Sequence, residues 1–125
     1  MKKLHVRKGK EIIKEGEESG SAYVIEAGTV EVSKTNAHGK KRVLAVLEEK
    51  AFFGELGLID RLPRSATVTA LEDCVIGEIT QEMFDTLSKT NPKALLPFLR
   101  IIAARLRATI KILDEYKHQP GPSQQ

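Results

Sequence analysis

The spacing of apolar residues changes once along this chain, and that change limits the folds that the chain can adopt. Up to about residue 79, short runs rich in Val, Ile, Thr and Ala are separated by turn-forming stretches. The runs are EIIKEG, AYVIEAGTVEVSK, KRVLAVLEE and SATVTALEDCVIGEIT. Strands at this spacing predict an antiparallel barrel or sandwich. After residue 80 the apolar residues recur at helical spacing, so the sequence predicts a mainly β fold with C-terminal helices.

Turn and cap residues mark the joints between these elements. Gly28 in EAGT and Gly39 in NAHGK are predicted to have positive φ and to close hairpins. The pair Glu72-Asp73 is predicted to join the last two strands. Thr80 is a predicted helix N-cap. These residues fix the expected ends of the β part of the chain.

The helical part contains two prolines with different expected roles. Asn91-Pro92 is predicted to be an N-cap followed by proline at the first helical position. Pro97 either kinks that helix or starts the next one, because a proline cannot donate a backbone hydrogen bond inside a helix. The last helix is predicted to run to about residue 117, and the segment that follows, PGPSQQ, has the composition of a disordered tail.

Length and composition favour a single folded domain. The 125 residues are 41% hydrophobic and 30% charged, which is ordinary for a folded domain with its own core. We expect one domain over 1–118, with its β part at about 3–79, its helices at about 80–117 and a disordered tail at 119–125.

Charge, hydropathy and cysteine content bear on partners and location. The net charge of +3 is a weak argument for nucleic acid, and no apolar run approaches the ~18 residues of a membrane span. Cys74 is the only cysteine, which excludes an internal disulfide and favours a reducing cytoplasm. We therefore expect a cytoplasmic protein without nucleic acid or membrane partners.

The stretch FFGELGLIDRLPRSATVTA, residues 52–70, has the residue types of a loop that holds an anion through its backbone. Gly54 and Gly57 allow main-chain N–H groups to approach a ligand closely, and GELGLI is predicted to form a short helical turn. The guanidinium of Arg64 can pair bidentately with a phosphate, and Ser65 adds a hydroxyl donor. Glu55 would repel a phosphate but can accept hydrogen bonds from hydroxyls on the same ligand. Phosphate and ribose in one small site indicate a nucleotide.

The same stretch, FGELGLIDRLPRSATVTA, resembles the phosphate-binding cassette of cyclic nucleotide-binding domains, both of the bacterial catabolite-activator type and of the regulatory subunits of cAMP-dependent kinase. The lead-in EGEESGSAYVIEAGTVEV is also similar to that family, so the resemblance covers roughly residues 3–116. It implies an eight-stranded antiparallel β-roll, jelly-roll-like, with a C-terminal helix that folds over the bound base. It also implies a regulatory module rather than an enzyme.

The resemblance assigns a role to each cassette residue. Gly54, Leu56 and Gly57 would contribute backbone to the site. Glu55 would hold the ribose 2′-OH, while the cyclic phosphate would be held by a guanidinium and a hydroxyl. The predicted ligand-binding set is Phe53, Gly54, Glu55, Leu56, Gly57, Arg64, Ser65, Ala66 and Thr109. cAMP is the expected ligand because of the likeness to the catabolite-activator type, and cGMP is also compatible with a hydroxyl at Ser65.

Two features depart from the family pattern. Glycine is usual three residues before the FGE motif, whereas EEKAFFGE carries Lys50 and no glycine there. No helix-turn-helix, kinase or channel segment follows the last helix in this sequence, so both a stand-alone sensor that acts on an effector protein in trans and a fragment of a longer protein stay open.

The long helix has a second expected role in dimerisation. Residues that are apolar with one exception step by 3 and 4 along 98–116, as in a coiled-coil a/d seam; they are Leu99, Ile102, Leu106, Thr109, Leu113 and Tyr116. Thr109 interrupts this seam, and the resemblance places it near the adenine amino group. We therefore expect a parallel homodimer through helix 98–116, although the same stripe would also suit packing on the roll.

Two other classes of function stay open at this point. One is a dimerisation or scaffold β-roll that has lost nucleotide binding. The other is a metal-dependent enzyme on a cupin-like barrel, which needs clustered ligands such as H-x-H. His5, His38 and His118 lie far apart, so no metal is expected. Basic residues on the long helix are interpreted as a solvated face rather than a DNA site; they are Arg100, Arg105, Arg107 and Lys111.

Overall fold

The computed structural model describes residues 1–118. Its eight strands are β1 Lys2–Val6, β2 Glu11–Ile13, β3 Ser21–Ala27, β4 Val30–Thr35, β5 Lys41–Leu47, β6 Phe52–Phe53, β7 Thr67–Ala70 and β8 Cys74–Thr80. They form two four-stranded sheets in the orders β1-β8-β3-β6 and β2-β7-β4-β5, with every pairing antiparallel. The predicted eight-stranded antiparallel β-roll is confirmed.

The core lies between the inward faces of the two sheets. The four strands β3, β4, β7 and β8 supply most of the buried side chains, and in β7 these strictly alternate, because successive residues of a strand point to opposite faces. Ile25, Val30 and Ile76 are the largest fully buried side chains. The buried cluster comprises Ile13, Tyr23, Ile25, Val30, Phe53, Val68, Ala70, Cys74 and Ile76. The cluster contains residues of both sheets, and it includes Phe53 of β6, the strand that leads into the predicted site.

The predicted turns are confirmed. Gly28 has φ 98° between β3 and β4, and Gly39 has φ 76° between β4 and β5. A Cβ on Gly28 would lie 2.6 Å from the Cys74 Sγ, so glycine is required there by packing as well as by φ. Residues 71–73 join β7 to β8. Local sequence therefore identified the hairpins of the roll correctly.

Lys50 occupies the position where the family pattern has glycine, and its φ is 75°. The backbone there is fixed by two hydrogen bonds with β3: Lys50 N–H donates to the Ile25 carbonyl, 2.8 Å, and Ile25 N–H donates to the Ala51 carbonyl, 2.9 Å. A left-handed residue with a Cβ costs roughly 1–2 kcal/mol. The turn into β6 thus keeps the geometry that glycine would adopt without strain.

Three helices and one 3₁₀ turn complete the described chain: α1 Glu55–Asp60, α2 Gln81–Thr90, the 3₁₀ turn Pro92–Leu95 and α3 Leu96–His118. Thr80 caps α2, since its hydroxyl accepts the Met83 N–H at 3.2 Å. Pro97 is the second residue of α3, so it starts that helix rather than kinking the preceding one. The prediction of a helical turn in GELGLI is confirmed by α1.

The chain divides into two compact units. Residues 1–85 form the first, which contains the roll, and the described residues from 86 onward form the second. Within residues 1–118, no helix is long and apolar enough to cross a membrane. The predicted tail at 119–125 lies outside the described residues.

Candidate functional site

The predicted site is built on the segment between β6 and β7. Phe53 ends β6 and is buried, and Gly54 follows it as the N-cap of α1 with φ 77° and ψ 3°. The chain then leaves α1 at Arg61, also left-handed with φ 58°, and continues without regular secondary structure through Arg64 before entering β7 at Thr67. Two sharp backbone reversals therefore fold this segment, which we call the cassette (residues 53–66), back on itself.

Arg64 is held inside the cassette by main-chain carbonyls. Its Nη1 donates to the Gly54 carbonyl at 2.9 Å, and its Nη2 donates to the Ser21 carbonyl at 2.7 Å. The side chain is half-buried. A guanidinium carries five N–H donors, so these two bonds orient it and leave donors available for an anion. The two ends of the cassette are joined through this one side chain.

The backbone of Arg64 is fixed by the loop that precedes β3. Gly16 N–H donates to the Arg64 carbonyl and Arg64 N–H donates to the Glu17 carbonyl, each at 2.8 Å. The Ser19 hydroxyl donates to the Leu62 carbonyl at 2.6 Å. Residues 16–19 thus hold the cassette backbone at residues 62–64 through hydrogen bonds. The Arg64 guanidinium is therefore positioned both through its backbone and through its tip.

An aromatic pair supports the same guanidinium. The Tyr23 ring stacks on Phe53 with centroids 5.2 Å apart, and the Arg64 Cζ lies 5.8 Å from the Tyr23 centroid. A cation over an aromatic face within about 6 Å is attracted by the ring quadrupole. Burial, and then the Glu78 carboxylate, raise the pKa of the Tyr23 phenol above its ordinary value. The phenol is therefore neutral and able to donate at neutral pH.

A carboxylate and a hydroxyl complete this support. The Tyr23 phenol interacts with Ser21 and Glu78, and the Ser21 hydroxyl donates to the Glu78 Oε2 at 3.0 Å. Ser21 is also the residue whose carbonyl accepts from Arg64. The Glu78 side chain on β8 thus contacts Ser21 and Tyr23 on β3. These two residues in turn contact the Arg64 guanidinium, which is the group predicted to bind phosphate.

The two glycines of the cassette are both required by close packing. A Cβ on Gly54 would lie 2.9 Å from the Arg64 Nη1 and 3.0 Å from the Ile13 Cδ1. A Cβ on Gly57 would collide with the Ser19 side chain. Any side chain at Gly54 would therefore displace the Arg64 guanidinium. A side chain at Gly57 would displace Ser19, which bonds the cassette backbone.

Glu55 is a buried acidic residue at the first position of α1. Its exposed fraction is 5%, which is unusual for a glutamate because burial of a carboxylate is costly unless polar partners compensate it. Leu56 and Ser65 are exposed, and Ala66 is half-buried. The structure therefore places Phe53, Gly54 and Gly57 close to Arg64. It also buries Glu55, the residue predicted to hold the ribose, which follows Gly54 in the chain.

Residues 3–91 match the family model described as cyclic nucleotide-binding domain. This chain belongs to that family. The family that the cassette sequence resembles is thus confirmed, on a roll of the predicted topology, and the binding role of the cassette residues stays a prediction.

Relatives of two kinds share this domain. The cAMP-activated global transcriptional regulator CRP of Salmonella typhimurium is 35% identical over 99 residues, 78% of this chain and 47% of that protein. The cAMP-dependent protein kinase regulatory subunit of Debaryomyces hansenii is 40% identical over 80 residues, 64% of this chain and 17% of that protein. The chain therefore spans less than half the length of these curated relatives.

A solved structure agrees with the sequence comparisons. The Thermus thermophilus catabolite activator protein superposes with a TM-score of 0.84 at 28% identity, covering 93% of this chain and 55% of that one. The β-roll followed by helices is thus shared with a catabolite activator protein, one of the two types that the cassette sequence resembles.

Thr109 belongs to a different compact unit from the other predicted site residues of this cyclic nucleotide-binding domain. It lies on α3, in the second compact unit, and its hydroxyl donates to the Arg105 carbonyl at 3.0 Å. That bond is the usual one for a threonine inside a helix. A contact between Thr109 and the base stays a prediction.

The residues that position Arg64 were not predicted from the sequence. Tyr23, Ser21 and Glu78 come from strands that are far from the cassette in sequence. The alternation in SAYVIEA does place Tyr23 on the same strand face as the core residue Ile25. That signal identifies an inward-facing aromatic residue, but its cation partner depends on strand pairing.

Proposed function

We propose that this cyclic nucleotide-binding domain is a regulatory module whose ligand is cAMP, and that occupancy is transmitted through α3. The observation that carries the ligand proposal is Arg64, a cation whose tip is oriented by two carbonyls and by the Tyr23 ring. An oriented guanidinium suits a singly charged cyclic phosphate because it offers two parallel donors in fixed geometry. We infer that the same guanidinium holds the phosphate.

The choice of cAMP is supported by the relatives. The Salmonella protein is named as cAMP-activated and the Debaryomyces protein as cAMP-dependent. Ser65 is exposed, and its hydroxyl suits either nucleotide, because it can bond the phosphate or, in a syn conformer, the guanine amino group. A competition assay is expected to show cAMP binding tighter than cGMP, whereas tenfold tighter binding of cGMP would reverse the assignment.

A thermal-shift screen tests the function directly. Ligand that binds only the folded state stabilises it by RT ln(1 + [L]/Kd), about 2.7 kcal/mol at a hundredfold excess over Kd. We expect the melting temperature to rise with cAMP and not with Mg²⁺ or Zn²⁺, since the described residues contain no group of three His, Cys, Asp or Glu placed to hold a metal. A shift with metal alone would favour the cupin-like alternative, and no shift with any ligand would favour the scaffold.

Transmission is proposed to run through a homodimer of α3. Four apolar residues of its a/d stripe are exposed, Leu99 55%, Leu106 58%, Leu113 61% and Tyr116 76%, while Ile102 is half-buried. Apolar residues at this spacing bury themselves when two helices pair. A ligand that contacts one residue of the seam would bias the position of both helices, and Thr109 is our candidate for that residue.

Light scattering of the intact chain, with and without cAMP, tests the dimer. We expect twice the monomer mass at high micromolar protein, and we expect Leu106→Asp to return the chain to a monomer because it places a charge in the seam. A strict monomer in both ligand states would contradict the seam and the shared role of Thr109, without affecting the ligand assignment. Under this proposal the module acts in the cytoplasm on an effector protein in trans.

A further inference from the structure

Strand β5, Lys41–Leu47, is an exposed apolar edge. In the order β2-β7-β4-β5 it pairs with β4 on one side, and on its other side no described strand pairs with it. Its side chains are exposed on both faces from residue 41 to residue 46. Val43, Leu44 and Val46 are 51%, 48% and 54% exposed. Edges of this kind offer unpaired backbone groups together with apolar side chains.

The usual protections of an edge strand are sparse here. The run VLAVL, residues 43–47, contains no proline and no charge, although both are common on edges that must stay solitary. One irregularity is present, because the shift in register between Val32 and Ser33 leaves Leu44 without an opposite residue on β4. A bulge of this kind bends the strand and shortens a regular ladder. It weakens pairing along this edge and does not remove it.

The charges that flank the run are opposite at its two ends. Lys41, which also pairs with Glu31 of β4, and Arg42 begin β5 ahead of the run, and Glu48 and Glu49 follow it just after the end of β5. A second copy placed antiparallel about a two-fold axis at Ala45 would bring each basic pair opposite the acidic pair of the other copy. Opposite charges across an antiparallel pair stabilise it, whereas like charges destabilise it. The edge is therefore complementary to itself in one orientation.

The apolar residues match in the same register. Val43 would lie opposite Leu47 of the second copy, Leu44 opposite Val46, and Ala45 opposite itself. A parallel pairing would instead place Lys41 against Lys41 and Glu48 against Glu48. A shift by two residues along the strand would move apolar residues opposite the flanking charges. Charge and apolar pattern thus select one register and one orientation.

We propose that β5 docks on β5 of a second copy in this antiparallel register, so that two four-stranded sheets become one continuous sheet of two chains. Main-chain hydrogen bonds would supply affinity and the flanking charges would supply register. The proposed surface does not include the α3 seam, and it does not depend on nucleotide. Because the bulge shortens the ladder and the surface is small, we expect the association to be weak.

A charge-swap mixture tests the proposal. All proteins carry Leu106→Asp, so that association through α3 does not contribute. One variant adds Lys41→Glu and Arg42→Glu, and the other adds Glu48→Lys and Glu49→Lys. Each alone would oppose like charges at both ends of the pair. We expect the unswapped protein to self-associate in sedimentation equilibrium, each swap alone to weaken association at least about tenfold, and the equimolar mixture to restore it.

The mixture also controls for folding, because two misfolded variants would not restore a specific complex. A matched control is Lys89→Glu with Lys93→Glu, which changes net charge as much as the first swap on exposed residues outside the roll. It should leave association unchanged. A monomeric unswapped protein, swaps that associate as well as the parent, or a mixture that stays monomeric would each overturn the proposal.

A cysteine at the two-fold axis tests the register. Opposite residues of an antiparallel pair have Cα atoms about 4.5–5.5 Å apart, within the range of a disulfide. Ala45→Cys should therefore give an oxidised dimer, whereas Val43→Cys, which would lie opposite Leu47, should give much less. The parent is the blank, since its single cysteine, Cys74, is buried. Equal cross-linking at both positions would contradict the proposed register.

Discussion

Arg64→Ala is expected to weaken cAMP binding at least ~30-fold in isothermal titration calorimetry. The guanidinium is oriented by the Gly54 and Ser21 carbonyls and by the Tyr23 ring, so it needs little reorganisation when it pairs with the phosphate. Removing one partner of a buried charge pair costs about 2–5 kcal/mol, and each 1.4 kcal/mol is about tenfold in affinity. Arg64→Lys should recover only part of the loss, because a lysine cannot make the bidentate contact.

Arg61→Ala is the matched control in the same cassette. Its side chain is 70% exposed and lies 4.0 Å from Asp85, and exposed ion pairs of this kind contribute about 0–1 kcal/mol. Melting temperatures without ligand separate loss of binding from loss of folding, since Arg64 also joins the ends of the cassette. Unchanged affinity for Arg64→Ala would remove Arg64 from the site, and equal losses for both variants would mean that charge alone matters.

Local residue types were sufficient to predict an antiparallel β fold, its hairpins and the helices that follow, whereas the eight-stranded roll was implied by the family resemblance. Gly28, Gly39 and Thr80 each have a conformation or a bond that their residue type favours, so their roles were readable from short windows. Lys50 shows the limit of that logic. Its φ of 75° is set by hydrogen bonds to β3, and the pairing of the strands overrides the preference of the lysine side chain for other backbone conformations.

Features that depend on contacts between distant strands were not predictable. The support of Arg64 by Tyr23 requires that β3 pair with both β6 and β8, which brings residues 23, 53 and 78 together. Gly57 was predicted to contribute backbone to the ligand site. A Cβ at this position would nevertheless first meet the Ser19 side chain, from the loop that precedes β3. The run VLAVL has the composition of a strand buried on both faces, whereas β5 is exposed on both. Burial of a strand depends on its neighbours, which a local pattern does not specify.

Glu55 is expected to read the ribose, so that 2′-deoxy-cAMP binds roughly 10- to 150-fold more weakly than cAMP. A hydrogen bond to a charged group contributes about 1.5–3 kcal/mol, and that range converts to this loss of affinity. Glu55 is 5% exposed, which limits the competition that water offers for the same carboxylate. Calorimetry with the two nucleotides measures the difference.

The assignment depends on coupling between the carboxylate and the hydroxyl, which a double-mutant cycle isolates. Glu55→Ala should bind cAMP and 2′-deoxy-cAMP with nearly equal affinity, because no acceptor then remains for the 2′-OH. Glu55→Gln is the matched control for the cavity that alanine leaves, and its neutral carbonyl should retain a small preference for cAMP, about 0.5–1.5 kcal/mol. If the alanine variant discriminates between the nucleotides as strongly as the parent, the 2′-OH is read by another group. If that unchanged discrimination comes with an equal loss of affinity for both nucleotides, Glu55 shapes the cassette without contacting the ribose.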